Sequence, residues 1–227
     1  LPFFLVFSLI IASRAYAQYP PFTKWYQNPL GFKPLSLQAS NAIVLPAVAA
    51  TAILLLTKND GSIRKGISQY ADLGISFGYY GSRTTVYQSN IGLLQPVRKF
   101  MALGVEFTTY HVDDTVNNTW GFGLRPFVRF FIINHEKFRL FFQSGAGLIY
   151  FIDPFPKPSG FFGDYRMGTR LNGCPKYGIG SSFSLSKQVS GQVGLWHVHV
   201  SNGNHPGSYR NPGHDSNGFS LGLIYRP

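Results

Sequence analysis

The sequence predicts an all-β fold, a closed antiparallel transmembrane barrel of eight strands preceded by a signal peptide and a short N-terminal helix. Three observations carry that reading. Charged residues are only 13% of the 227, while aromatics reach 16% and glycines number 25, a balance suited to a surface that meets lipid. From about Gly66 onward, large apolar residues recur at every second position, the period of a strand with one apolar face. The segments between them alternate between short turns and longer connections, as a barrel crossing a membrane requires.

The first residues read as an export signal. Leu1 to Ala12 is a nearly unbroken apolar run, and Ala15-Tyr16-Ala17 supplies a small-x-small pattern before Gln18. Residues 1–17 are therefore expected to be a signal peptide, N-terminally incomplete because it lacks a starting Met and a basic segment. Its removal takes away Arg14 alone, leaving 19 basic and 9 acidic residues, or +10. Residues 18–65 form an N-terminal extension with an apolar helix over 42–56. That stretch includes Pro46 and ends at Lys58-Asn59-Asp60. It is short of the roughly 20 apolar residues of a spanning helix, so it is expected to pack at the periplasmic end of the barrel or in the inner leaflet.

Residues 66–227 form the barrel. Leu73, Ile75 and Phe77 alternate with Gly74, Ser76 and Gly78, and Met101, Leu103, Val105 and Phe107 alternate with Ala102, Gly104 and Glu106. Trp120, Phe122, Leu124, Val128 and Phe130 share a face opposite Arg125 and Arg129. Tyr177, Ile179 and Phe183, then Phe219, Leu221, Leu223 and Tyr225, repeat the pattern. A soluble sandwich turns its large residues inward and its charges outward. Here the second face is Gly, Ser, Ala and an occasional Arg or Glu, which fits a narrow polar lumen inside a lipid-facing wall. Strands are expected at 67–81, 84–95, 99–111, 119–133, 137–152, 174–186, 188–201 and 216–226. An even count permits antiparallel closure without an exposed edge. Turns near 96–98, 134–136 and 187 are short and assigned to the periplasm. Those after strands 3, 5 and 7 are longer and assigned to the outside, and only the turn at 81–83 breaks the trend. This is the architecture of a Gram-negative outer-membrane protein.

The interior of such a barrel leaves Arg125, Arg129 and Glu106 as a packing network, and Tyr79, Tyr80, Tyr87, Tyr110, Trp120 and Tyr150 as an interfacial girdle. Cys174 is the only cysteine, which excludes an internal disulfide and a thiolate ligand cluster. The formal charge of +11 suits an anionic partner. No Lys/Arg-rich run, zinc-finger spacing or RNA-binding aromatic signature points to nucleic acid.

Chemistry concentrates near the C-terminus, where four of the six histidines lie between positions 197 and 214. Parity places His197, His199 and Ser201 on the lipid side of strand 7 with Val193 and Leu195. Asp215 and Asn217 share the lipid side of strand 8 with Phe219 and Leu221. Residues two apart on a strand point the same way, about 6.5–7 Å apart, so His199 can serve Ser201 as a base. A serine hydroxyl needs such a base, and the base needs a third group to fix its tautomer. The hairpin between strands 7 and 8 is expected to bring Asn217 level with His199 as that third member, with Asp215 the alternative. Asn202 and Gly203 are expected to hold an oxyanion. Titratable groups on a lipid-facing wall are costly and usually functional.

His199-Val200-Ser201-Asn202-Gly203, followed by Asn211-Pro212-Gly213 and a closing apolar strand, resembles the PagL-type lipid A 3-O-deacylase and acyloxyacyl hydrolase family. The resemblance implies an outer-membrane serine esterase that removes ester-linked acyl chains from lipid A in the outer leaflet, with His199 and Ser201 as base and nucleophile and no cofactor. That partner also suits the basic balance. The family pattern has a glutamate on the last strand where Asn217 is aligned. Two other readings of the same residues are a non-enzymatic lipid-binding or structural barrel, and a metal site drawn from His197, His199, His205, His214 and Asp215.

Overall fold

The computed structural model describes residues 39–78, 84–157, 166–203 and 210–227. The expected signal peptide, Tyr79, Tyr80, the turn at 81–83 and His205 lie outside them. The described residues form a helix α1 (Ala39–Leu56) and ten strand segments: β1 (Ser68–Gly78), β2 (Thr85–Arg98), β3 (Met101–Asp113), β4 (Asn118–Asn134), β5 (Phe138–Gly145), β6 (Leu148–Phe155), β7 (Thr169–Gly173), β8 (Lys176–Ser184), β9 (Val189–Val200) and β10 (His214–Tyr225).

All pairings are antiparallel, and β1 pairs with both β2 and β10, so the sheet closes on itself. The ten segments make eight staves. Strand β4 pairs with β5 over Phe127–Asn134 and with β6 over Gly121–Leu124, so β5 and β6 are one stave interrupted at Ala146-Gly147. A Cβ at Gly147 would stand 2.0 Å from the Leu124 carbonyl oxygen, an approach only glycine allows. Next to it, β7 and β8 break at Cys174-Pro175, where proline has no N–H for the ladder. The first break falls inside a run expected as one strand, 137–152; the second joins Thr169–Gly173, expected as part of the outer connection, to the strand expected from 174.

Parity fixes the two faces. Leu73, Leu124, Leu195 and Leu221 are all more than half exposed on the outside. Inside, Glu106 accepts hydrogen bonds from Arg125 Nη1 at 2.5 Å and Lys176 Nζ at 3.3 Å, and from the Tyr70 hydroxyl. Arg129 donates to Gln143 at 2.7 Å and lies over the Phe141 ring. Each of these three buried cations thus has a partner, as burial of a charge demands. Tyr87, Trp120 and Tyr150 stand on the outer face as expected. Tyr110 does not: its even position in β3 turns it inward, where it accepts from Arg125 Nη2 at 2.9 Å.

The connection after β3 is also shorter than expected. The turn after β3 is only Asp114–Asn117, because the Asp114 carboxylate accepts from the N–H groups of Val116 (2.7 Å) and Asn117 (2.6 Å) and the hairpin stays paired to Asp113–Asn118.

Of the two expected positions, the periplasmic end and the inner leaflet, helix α1 is not confined to the first; it lies along the outer wall. Ile43, Ala47, Ala50 and Leu54 recur at helical spacing, and the small residues among them let the helix approach closely. Its first turns pack on Phe142, Ala146 and Tyr177, and its last turns on Val97, Met101, Val128 and Phe130. Leu45 and Val48 point away and are exposed, so the helix is apolar all round because both its surroundings are. Among the described residues no helix is long and apolar enough to cross a membrane by itself. Pro46 leaves the Ala42 carbonyl without its helical N–H donor, and Ser144 Oγ supplies one at 2.6 Å.

At the other end, Arg98 donates to the carbonyls of Leu54 (3.3 Å) and Thr57 (2.8 Å) and to Thr57 Oγ1 (2.8 Å), satisfying helix C-terminal acceptors with a cation. Asp60 completes the tether. It accepts from Lys99 N at 2.6 Å and Ser62 N at 3.0 Å, and hydrogen bonding by Ser62 and then by the Lys99 backbone lowers its carboxyl pKa to about 2. Arg98→Ala is expected to speed amide exchange over the last turn of α1 about tenfold or more, since charge-assisted bonds contribute about 1.5–3 kcal/mol. The barrel should remain closed. Hydrogen exchange read by mass spectrometry checks this, and unchanged protection of that turn would remove Arg98 as the anchor.

Candidate active site

The site is built where β9 and β10 run upward from the lipid-facing pair Leu195 and Phe219. Continuing at the same parity, β9 presents His197 and His199, and β10 presents Asn217 and Asp215. The register pairs His199 with Asp215 and His197 with Asn217. His199 Nδ1 is 2.8 Å from Asp215 Oδ1. His197 Nδ1 is 3.1 Å from Asn217 Oδ1, and its Nε2 is 3.2 Å from the same Asp215 Oδ1. The expected contact between Asn217 and His199 is therefore corrected: the carboxylate of Asp215 meets His199, and Asn217 lies one pair lower.

Ser201 follows β9 directly. It is fixed by a two-bond bridge to Gly173, with Gly173 N donating to Ser201 O at 2.7 Å and Ser201 N to Gly173 O at 3.1 Å. Val198 and Val200, between the polar residues, point inward and join the lumen cluster with Tyr110, Phe151 and Phe155. The alternation thus sends imidazoles and hydroxyl to one side of the wall and their neighbours to the other.

Both His199 and Ser201 are 1% exposed, although their parity is that of the outer wall. His199 Nε2 and Ser201 Oγ are buried, and no hydrogen-bond partner is present for either among the described residues. A buried hydroxyl and a buried ring nitrogen left unmade cost about 1–3 kcal/mol each. Such groups call for an explanation.

The residues expected to hold an oxyanion are built into the adjoining loop. Asn202 N donates to Asn211 Oδ1 at 3.1 Å, and Asn202 Nδ2 donates to Arg210 O at 2.6 Å and Thr169 Oγ1 at 3.2 Å. Gly203 has φ 65°, a left-handed turn that glycine adopts without strain. Asn211 is held in turn, its carbonyl accepting from Arg166 Nη1 at 2.9 Å.

His214 is not part of this group. Its even position turns it inward, against Phe155 at 5.1 Å between ring centroids. Among the described residues, no set of three or more His, Cys, Asp or Glu side chains is placed to hold a metal ion. Two contacts go beyond the expectations from sequence: His197 with Asn217, and the Tyr177 ring 4.7 Å from His197. The outward parity of all three was the available signal.

Residues 87–223 match the family described as lipid A 3-O-deacylase (PagL), more than half of the chain. The fold is similar to the crystal structure of the outer membrane enzyme PagL, at TM-score 0.52 and 15% identity over 67% of this chain and 97% of that one. It is equally similar to Neisserial surface protein A, at TM-score 0.51 and 9% identity over 71% of this chain and 96% of that one. At these identities the two structures speak to the fold alone. No curated protein matches the sequence.

Proposed function

This chain belongs to the PagL family of lipid A 3-O-deacylases and is a Gram-negative outer-membrane barrel, and from that premise we propose that it is a serine esterase removing an ester-linked acyl chain from lipid A. The observation that carries the proposal is the pair of unpartnered buried atoms, His199 Nε2 and Ser201 Oγ, on one side of the wall with His199 Nδ1 already bonded to Asp215. Asp215 holds the Nδ1–H tautomer, which leaves Nε2 free to take a proton. Catalytic contacts often close only when substrate is bound.

As Ser201 Oγ attacks the ester carbonyl carbon, its proton passes to His199 Nε2. The tetrahedral oxyanion is assigned to the backbone amides of the Asn202-Gly203 turn, with the Asn202 N–H released from Asn211 as charge develops. Collapse breaks the bond to the sugar oxygen, which takes the proton from His199. Water, deprotonated by the same nitrogen, then releases the fatty acid and restores Ser201. A lipid lying in the outer leaflet brings its ester to this wall without leaving the membrane, and the basic chain suits the phosphates of lipid A.

Folded protein in detergent, incubated with purified lipid A, is expected to lighten it by one acyl chain and release the matching free fatty acid. Mass spectrometry identifies which ester is lost, the 3-O-linked primary chain being expected. Lipid A recovered at unchanged mass from correctly folded protein would sink the proposal.

A further inference from the structure

Asp215 is bonded twice. The same carboxylate oxygen lies 2.8 Å from His199 Nδ1 and 3.2 Å from His197 Nε2, and the far nitrogen of His197 lies 3.1 Å from the Asn217 carboxamide. Four side chains therefore run down two paired strands as a connected chain, from His199 through Asp215 and His197 to Asn217. The Tyr177 ring, directly across from His197 on β8, closes its flank at 4.7 Å.

We propose that His197, oriented by Asn217, is a positioning residue that holds the Asp215 carboxylate ionised and aimed at His199. This rests on the serine esterase reading above. A carboxylate 5% exposed on the lipid-facing side of a barrel is costly unless fully hydrogen-bonded. The single N–H of His199 leaves it under-bonded. The His197 Nε2–H supplies a second donor that takes no part in proton transfer. Neutral His197 then needs a donor at Nδ1. Asn217 meets it by turning its NH2 group inward, since the oxygen and nitrogen of a carboxamide are assigned from their partners. Asparagine serves here because it offers either a donor or an acceptor, whereas a carboxylate would only accept. The arrangement is the protein counterpart of the outer partners that fix a working imidazole.

Two substitutions separate positioning from packing. His197→Phe keeps a ring against Tyr177 but removes the donor. His197→Gln loses the ring but can still donate to Asp215. We expect His197→Phe to lower kcat on lipid A about 10–100-fold, the range seen when an outer partner is removed, with KM unchanged. His197→Gln should stay within about tenfold of wild type and above His197→Phe. Equal losses in the two variants, or a His197→Phe enzyme at the wild-type kcat, would overturn the assignment.

A second readout is independent of turnover. In micelles, the hydrogen-bonded His199 Nδ1 proton is expected in the proton NMR spectrum of wild type and His197→Gln, and lost or displaced in His197→Phe. An unmoved resonance in His197→Phe also overturns the assignment, whether or not lipid A is cleaved. Failure of the esterase reading looks different: wild type leaves lipid A intact, or Ser201→Ala cleaves it at the wild-type rate. In that case the resonance alone decides the role of His197.

Discussion

Ser201→Ala is expected to lower kcat for lipid A about 10⁴-fold or more, equivalent to about 5.5 kcal/mol of transition-state stabilisation at about 1.4 kcal/mol per tenfold. Removing the nucleophile of a triad costs roughly as much as removing all three members, since none works without it. The same change is expected to leave thermal stability unchanged or raised by about 1 kcal/mol. The hydroxyl it deletes is buried, with no partner among the described residues, so the folded state loses no bond and sheds an unsatisfied group. The Gly173 bridge that fixes the backbone is made by main-chain atoms and is untouched. Fatty-acid release and the unfolding temperature, measured on one preparation, give opposite responses under this reading. A variant that cleaves at the wild-type rate removes Ser201 as nucleophile. One that unfolds many degrees lower shows that Ser201 holds the loop in place.

Much of the barrel is legible in the sequence because its pattern has period two. Leu195 and Phe219 point to lipid and Trp196 and Ser220 to the lumen, where Trp196 Nε1 donates to Ser220 Oγ at 2.8 Å. That alternation alone assigns His197, His199, Asp215 and Asn217 to one side. It cannot say which of them meet. A register slip of two residues keeps every side chain on its own face, so His199 opposite Asn217 and His199 opposite Asp215 are the same pattern to a reader of parity. The choice is made by contacts along the whole hairpin, down to Tyr225 opposite Val189, and these depend on packing rather than on local residue type.

The stave breaks were hidden for a similar reason. Gly147 sits within an apolar run and Pro175 between Cys174 and Lys176, and their effect comes from the neighbouring strand approaching the first and from the missing N–H of the second. The helix was legible as a helix from its apolar run, and its termini fall close to the expected ones. Its position was not, since a stretch apolar all round shows no preferred face. The small residues Ala47 and Ala50 and the carbonyl that Pro46 leaves without a donor are the features that suit it to a wall.

The register makes Asp215→Asn the most informative change at the site after Ser201. An asparagine here can turn its NH2 group toward His199 Nδ1 and donate to it. The imidazole then carries its proton on Nε2, which can no longer accept one from Ser201. In a serine triad that swap of tautomer with geometry intact costs about 10⁴ in kcat, and a loss of that order is expected for this chain. Asn217→Leu touches only the far nitrogen of His197. It acts on the base one step further away than His197 does, and is expected to lower kcat about tenfold, the low end of the range for removal of an outer partner. Measured side by side on lipid A, the two variants decide which residue orients the base. Were Asn217→Leu the crippling change and Asp215→Asn the mild one, the working enzyme would have to pair β9 and β10 two residues out of the register described here. The bond between His199 and Asp215 would then belong to a resting state alone.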